Sequence, residues 1–249
     1  MEDMKNKTAI ITGATSGIGR ATAILLAHHG VKVALAGRDA KRGQELEKEI
    51  VSLGSDAFFI KTDVSKAESV RNLIQSAKKK FGEIHYALNN AGIEGALGSL
   101  VDMQEDDFDD VISTNLKGVW LCLKHELETM TEGSSIVNIS TNITRMGMPG
   151  TGAYTASKAG VESLTKVAAI EHGKKGVRIN AISPGAVDTP MIHRIYPGEE
   201  DFKNISEQNP LGRIAYPEDI ANTVLWLFSP MSAHVNGNII FVDGGSSLV

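Results

Sequence analysis

With 249 residues, 42% of them hydrophobic and 22% charged, the chain has the composition of a globular domain and the length for one large core. A formal charge of −5 supplies no basic face for nucleic acid. No apolar run approaches the ~18 residues of a membrane span, and the opening Met-Glu-Asp-Met-Lys-Asn-Lys lacks a signal-peptide core, so no membrane partner and a cytoplasmic location are expected.

Strand-like apolar runs at 7–12, 31–36, 56–61, 84–89, 134–140, 177–182 and 238–242 alternate with longer segments of helical period. This alternation predicts a single α/β domain over 1–249, a Rossmann-type doubly wound parallel sheet of about seven strands with helices on both faces. Ligands of such sheets bind in the crevice beyond the C-terminal strand ends. The first run, Thr8-Ala9-Ile10-Ile11, enters Thr12-Gly13-Ala14-Thr15-Ser16-Gly17-Ile18-Gly19 and then a helix ending at Gly30. Gly13 permits a tight turn, Gly17 lets backbone approach a pyrophosphate, and Gly19 allows close packing at the helix N-terminus. After the second run stands Gly37, where an acid would meet ribose hydroxyls, followed by Arg38 and by Asp39, which reads as a helix N-cap.

Asp63-Val64 closes the third run and Asn89-Asn90-Ala91-Gly92 the fourth. In the helix around 106–130, Phe108, Val111, Ile112, Leu116, Val119 and Leu123 form an apolar stripe that includes Asn115; a buried amide there needs partners. Cys122 is the sole cysteine and reads as core, and the seven His show no metal-ligand spacing, so no metal is expected. Ser140-Thr141 ends the fifth run. Tyr154 and Lys158, one helical turn apart, put a phenol beside an ammonium that would lower its pKa. Pro184-Gly185 and Val187-Asp188-Thr189-Pro190 follow the sixth run. The long polar segment 191–216, broken by Pro197-Gly198 and Asn209-Pro210, reads as a mobile substrate lid.

In this order and spacing, the glycine turn, Asp63-Val64, Asn90-Ala91-Gly92, Asn115, Tyr154 with Lys158, and Phe241-Val242-Asp243-Gly244-Gly245 resemble the classical short-chain dehydrogenase/reductase family over nearly the whole chain. The resemblance implies hydride transfer between nicotinamide C4 and a ketone or secondary alcohol. Tyr154 would be the general acid/base, Lys158 its electrostatic partner, Thr141 the substrate-orienting hydroxyl in place of the family's usual Ser, and Asn115 the holder of a water beside Lys158. The implied cofactor contacts are Gly13, Thr15, Ser16, Gly17, Ile18, Gly19, Asp63, Val64, Asn90, Ala91, Gly92, Tyr154, Lys158, Pro184, Gly185, Val187 and Thr189. Arg38 can meet a 2′-phosphate with paired donors, which favours NADP, with NAD as the alternative. Ser16 stands where many NADP enzymes of the family carry a basic residue, and His85 where an Asp is common. A homotetramer acting on a small carbonyl or alcohol is implied; the alternative is a cofactor-sensing binding protein of the same fold without turnover.

Overall fold

The computed structural model describes residues 2–249. In chain order the elements are β1 (Thr8–Thr12), α1 (Gly17–His28), β2 (Lys32–Gly37), α2 (Ala40–Ser52), β3 (Ala57–Lys61), α3 (Ala67–Phe81) and β4 (Tyr86–Asn89). There follow α4 (Glu105–Val111), a π turn (Ile112–Lys117), α5 (Gly118–Leu127), β5 (Ser135–Ile139), a short α6 (Ile143–Met146) and α7 (Gly152–Gly173). The chain continues through β6 (Arg178–Pro184), α8 (Pro190–Ile195), α9 (Glu199–Glu207), α10 (Pro217–Phe228) and β7 (Ile239–Val242). All seven strands are parallel, in the order β3-β2-β1-β4-β5-β6-β7.

β1 and β5 are buried throughout, which is why neither alternates between buried and exposed residues; β5 buries even Ser135 and Asn138. One core, with Ile11, Leu26, Leu35 and Phe228, and a second, with Ile10, Leu73, Ile136 and Ile179, lie on opposite sides of the sheet, as alternate residues of β1 require. Strand order reverses between β1 and β4, so the crevice opens above their C-terminal ends. Asp39 caps α2, its carboxylate accepting from Arg42 N at 3.1 Å. His85 is accommodated by accepting from Thr8 N through Nδ1 at 3.2 Å, and burial lowers its pKa.

One sequence expectation needs correction. The helix around 106–130 is interrupted by the π turn, where Gly118 N bonds Ser113 O five residues back. Val111, Val119 and Leu123 of the stripe are buried, whereas Phe108 at its start is 42% exposed. The segment 191–216 holds regular structure. It carries α8 and α9, joined by a stack of His193 on Phe202 with centroids 4.4 Å apart, and Ala215 near its end makes a parallel bridge to Val187, which precedes the segment.

A buried polar cluster crosses the second core, unannounced by any sequence pattern. Asn89 Nδ2 donates to Glu126 Oε2 and Asn138 Oδ1, both at 3.0 Å, and Asn138 Nδ2 donates to Thr165 Oγ1 at 2.9 Å. Asn89 Oδ1 and Glu126 Oε1 find no partner among the described residues. Burial pushes the Glu126 carboxyl up to about 7. A folded-state pKa above the unfolded value means that the folded protein holds the proton between about 4.5 and 7, so stability falls as pH rises across that window. Glu126→Gln keeps the shape without the charge. It should unfold at higher denaturant than wild type at pH 8, by on the order of 3 kcal/mol, with the gap closing toward pH 4.5. Parallel denaturation curves at both pH values would contradict this.

Candidate active site

The glycine turn is built by the strand end next to it. Thr12 Oγ1 accepts from Asn90 N at 3.0 Å and Ala91 N at 3.1 Å, while Asn90 Nδ2 donates to Thr12 O and Gly13 O at 3.1 and 3.2 Å. Thr12 is a functional residue that the sequence reading passed over; the signal was a hydroxyl ending an otherwise apolar strand. Gly13 sits at φ +64°, and a Cβ on Gly19 would come within 2.3 Å of Gly13 O, so neither position accepts a side chain. No side chain caps α1, and its first residues Gly17 and Ile18 line the crevice. Uncapped first-turn N–H groups with the positive end of a helix dipole form an anion site.

The crevice is one cleft of about 830 Å³. Its walls include Gly13, Thr15, Ser16, Gly17, Ile18 and Arg38 at one end, then Asp63, Val64, Asn90, Ala91 and Gly92. Thr141, Tyr154, Lys158, Pro184, Gly185, Val187 and Thr189 complete it. Two of the residues read from sequence stand behind the wall. Gly19 packs against the turn, and Asn115 is fully buried. Arg38 is exposed and, among the described residues, has no hydrogen-bond or ion-pair partner, so its guanidinium is available at the cleft edge. Asp63 is held by Ser65, whose N and Oγ donate to Oδ1 at 3.0 and 2.7 Å; burial raises its pKa, but these bonds outweigh that and the net shift is downward.

Asn115 uses its amide inside the protein: Oδ1 accepts from Ile93 N at 2.8 Å, and Nδ2 donates to Ile93 O at 2.9 Å and Ser157 Oγ at 3.2 Å. It thereby ties the 90–93 segment to α7. A Cβ on Gly92 would lie 3.2 Å from Asn115 Oδ1 and 3.5 Å from Lys158 Nζ, which places the two side chains side by side. Lys158 Nζ donates to Ile139 O at 2.8 Å and lies 5.9 Å from the centre of the Tyr154 ring.

The predicted lowering of the Tyr154 phenol is not produced by the chain's own groups. Burial pushes Tyr154 up to about 12; contact with the Thr141 hydroxyl works against that, and the Glu94 carboxylate adds to it. Burial also pulls Lys158 down to about 8. Removing both groups from water penalises both charged forms, and burial is the largest cause of each shift.

The two candidate hydroxyls are separated by their partners. Ser140 lines the cleft too, but its Oγ donates to Glu162 Oε1 at 2.7 Å, and Thr144 Oγ1 donates to the same oxygen at 2.8 Å, so the Ser140 hydroxyl is already engaged by α7. Thr141 is the hydroxyl that meets Tyr154.

A family description of enoyl-(acyl carrier protein) reductases matches residues 13–247. A short chain dehydrogenase/reductase of Aspergillus oryzae is 38% identical over 99% of this chain and 97% of its own. A 3-oxoacyl-[acyl-carrier-protein] reductase of Staphylococcus epidermidis is 38% identical over 96% of this chain and 98% of its own. The solved structure of levodione reductase superposes with a TM-score of 0.95 at 33% identity, covering 99% of each chain. The chain belongs to the short-chain dehydrogenase/reductase family. It is an oxidoreductase that uses a nicotinamide cofactor to interconvert a ketone and a secondary alcohol. No helix among the described residues is long and apolar enough to cross a membrane.

Proposed function

We propose that this chain is an NADP-preferring carbonyl reductase in which Tyr154 is the general acid, assisted by Lys158 and Thr141. The observation that carries the reading is the meeting of Tyr154, Thr141 and Lys158 in one cleft with an uncapped helix N-terminus and a side-chain-free glycine turn. That cradle fits a dinucleotide: a Cβ on Gly17 would press to 2.9 Å from Thr189 Cγ2, so only bare backbone leaves the pyrophosphate room. Gly13, Ser16, Gly17 and Ile18 would hold the pyrophosphate, Asp63 and Val64 the adenine, Asn90 to Gly92 the ribose, and Val187 and Thr189 the carboxamide. The bound nicotinamide supplies the hydride.

Tyr154, with a pKa near 12, stays protonated at neutral pH and can give its proton to an alkoxide as it forms. Thr141 orients the substrate oxygen, and the Lys158 ammonium stabilises the phenolate left behind. In the reverse direction the same oxygen takes the alcohol proton. Asn115 holds the 90–93 segment against Lys158, and its part in a proton path to solvent belongs to this proposal. So does the lid role of 191–216, supported by Met191, Ile192, Ile195 and Tyr196 in the cleft wall. A homotetramer is supported by exposed Trp120 on α5 with Val167 and Ile170 on α7, and by the exposed apolar end Leu248-Val249.

The test is a panel of ketones assayed with NADPH and NADH in wild type and Arg38→Ala. NADPH should be favoured in kcat/KM, and Arg38→Ala should remove about 10–150-fold of that preference, the worth of one charged hydrogen-bond pair. Equal use of both cofactors by wild type would overturn the NADP assignment. No turnover of any ketone with either cofactor would overturn the catalytic reading.

A further inference from the structure

The substrate end of the cleft is walled by apolar side chains, among them Ile143, Met146, Met148 and Ile192. Across it runs an ion pair that joins the lid to the body over 100 residues of sequence. Arg194 on α8 donates through Nε to Glu94 Oε1 at 2.5 Å and through Nη2 to Glu94 Oε2 at 3.0 Å. Both side chains line the cleft, and that of Glu94 is only 21% exposed. The two-point geometry fixes the guanidinium plane and uses both carboxylate oxygens.

Resting on the reductase reading above, we propose that the Glu94–Arg194 pair is a charge filter that admits neutral ketones to Tyr154 and turns away substrates carrying a carboxylate at their remote end. Glu94 is near enough to Tyr154 to push the phenol's pKa upward, so its negative field reaches the place where a substrate oxygen would sit. Arg194, the cation that an anionic substrate would seek, is already taken, and its hydrogen bonds lower the pKa of Glu94. A substrate carboxylate would have to displace Glu94 and leave that half-buried group without its partner, which is disfavoured. A neutral substrate disturbs neither charge. The filter also predicts how the lid is held: α8 is pinned to the loop after β4 by the same two bonds.

The experiment uses the ketone of the panel that wild type reduces fastest, prepared with a remote methyl ester and as the free carboxylate. The quantity read is the ratio of kcat/KM for keto ester over keto acid. Wild type should favour the ester at least tenfold. Glu94→Gln, close in shape, should free Arg194 and lower that ratio by about 10–100-fold, chiefly through KM of the acid. Arg194→Gln should raise it, because Glu94 is then left uncompensated. Dissociation constants of the two compounds, measured by calorimetry, should move the same way and need no turnover. An unchanged ratio in Glu94→Gln, with wild type active on the ester, overturns the filter and leaves the reductase reading standing. Failure of wild type to reduce either compound with either cofactor overturns both.

Discussion

Tyr154→Phe is expected to lower kcat/KM for carbonyl reduction by at least about 10³-fold while leaving the fold and dinucleotide affinity in place. The substitution removes one oxygen from a side chain whose ring is held in the cleft wall, so packing survives and only the proton donor goes. Lys158→Met should lose a comparable factor but behave differently in unfolding. Burial holds Lys158 at about 8, below its ordinary 10.5, so the folded protein keeps this charge at a disadvantage throughout pH values below 8. Stability should therefore rise with pH between about 8 and 10.5, since the unfolded chain binds the extra proton there. Below that window Lys158→Met is relieved of up to about 3 kcal/mol of desolvation, offset by roughly 1 kcal/mol for the lost bond to Ile139 O. At pH 7 the inactive variant should melt at or above the wild-type temperature. A lower Tm together with retained turnover would show Lys158 to be a structural residue.

That contrast separates what the sequence displays from what it hides. The strands are legible because a parallel sheet covered on both faces requires continuous apolar runs, and those runs lie within two residues of the observed ends. The glycine turn is legible because backbone crowding against Asn90 and Gly13 O permits no side chain there. Tyr154 and Lys158 are legible from one helical turn. Their ionisation is not, because it is set by burial that depends on β5 and the 90–93 segment as well as α7. The π turn at Asn115 is silent in sequence, since one extra residue changes the period without changing composition. α8 and α9 are hidden for the opposite reason: their polar residues resemble a loop, and it is the His193–Phe202 stack and the Glu94–Arg194 pair that order them. Contacts of that kind, and the Asn89–Glu126 pair 37 residues apart, follow no local period.

The choice between adjacent hydroxyls shows how far spacing can carry an assignment. Thirteen residues before Tyr154 stands Thr141, and Ser140 precedes it; both lie just past the end of β5, where their partners and not strand alternation set them apart. Ser140 and Thr144 share Glu162 Oε1, a contact that fastens the end of β5 and α6 to α7 and so helps set where residue 141 lies. Thr141→Ala should lose about 10²–10³-fold in kcat, as for removal of one transition-state donor, whereas Thr141→Ser should keep most activity because the hydroxyl remains. Ser140→Ala removes a buried bond but leaves Thr144 on Glu162, so a loss of about 1 kcal/mol in stability with kcat within tenfold of wild type is expected. Steady-state kinetics with a saturating ketone, alongside thermal melts of the three variants, measure both effects. If Ser140→Ala abolished turnover and Thr141→Ala remained near wild type, the catalytic hydroxyl would belong to Ser140, and the Glu162 contact would have to open during the reaction.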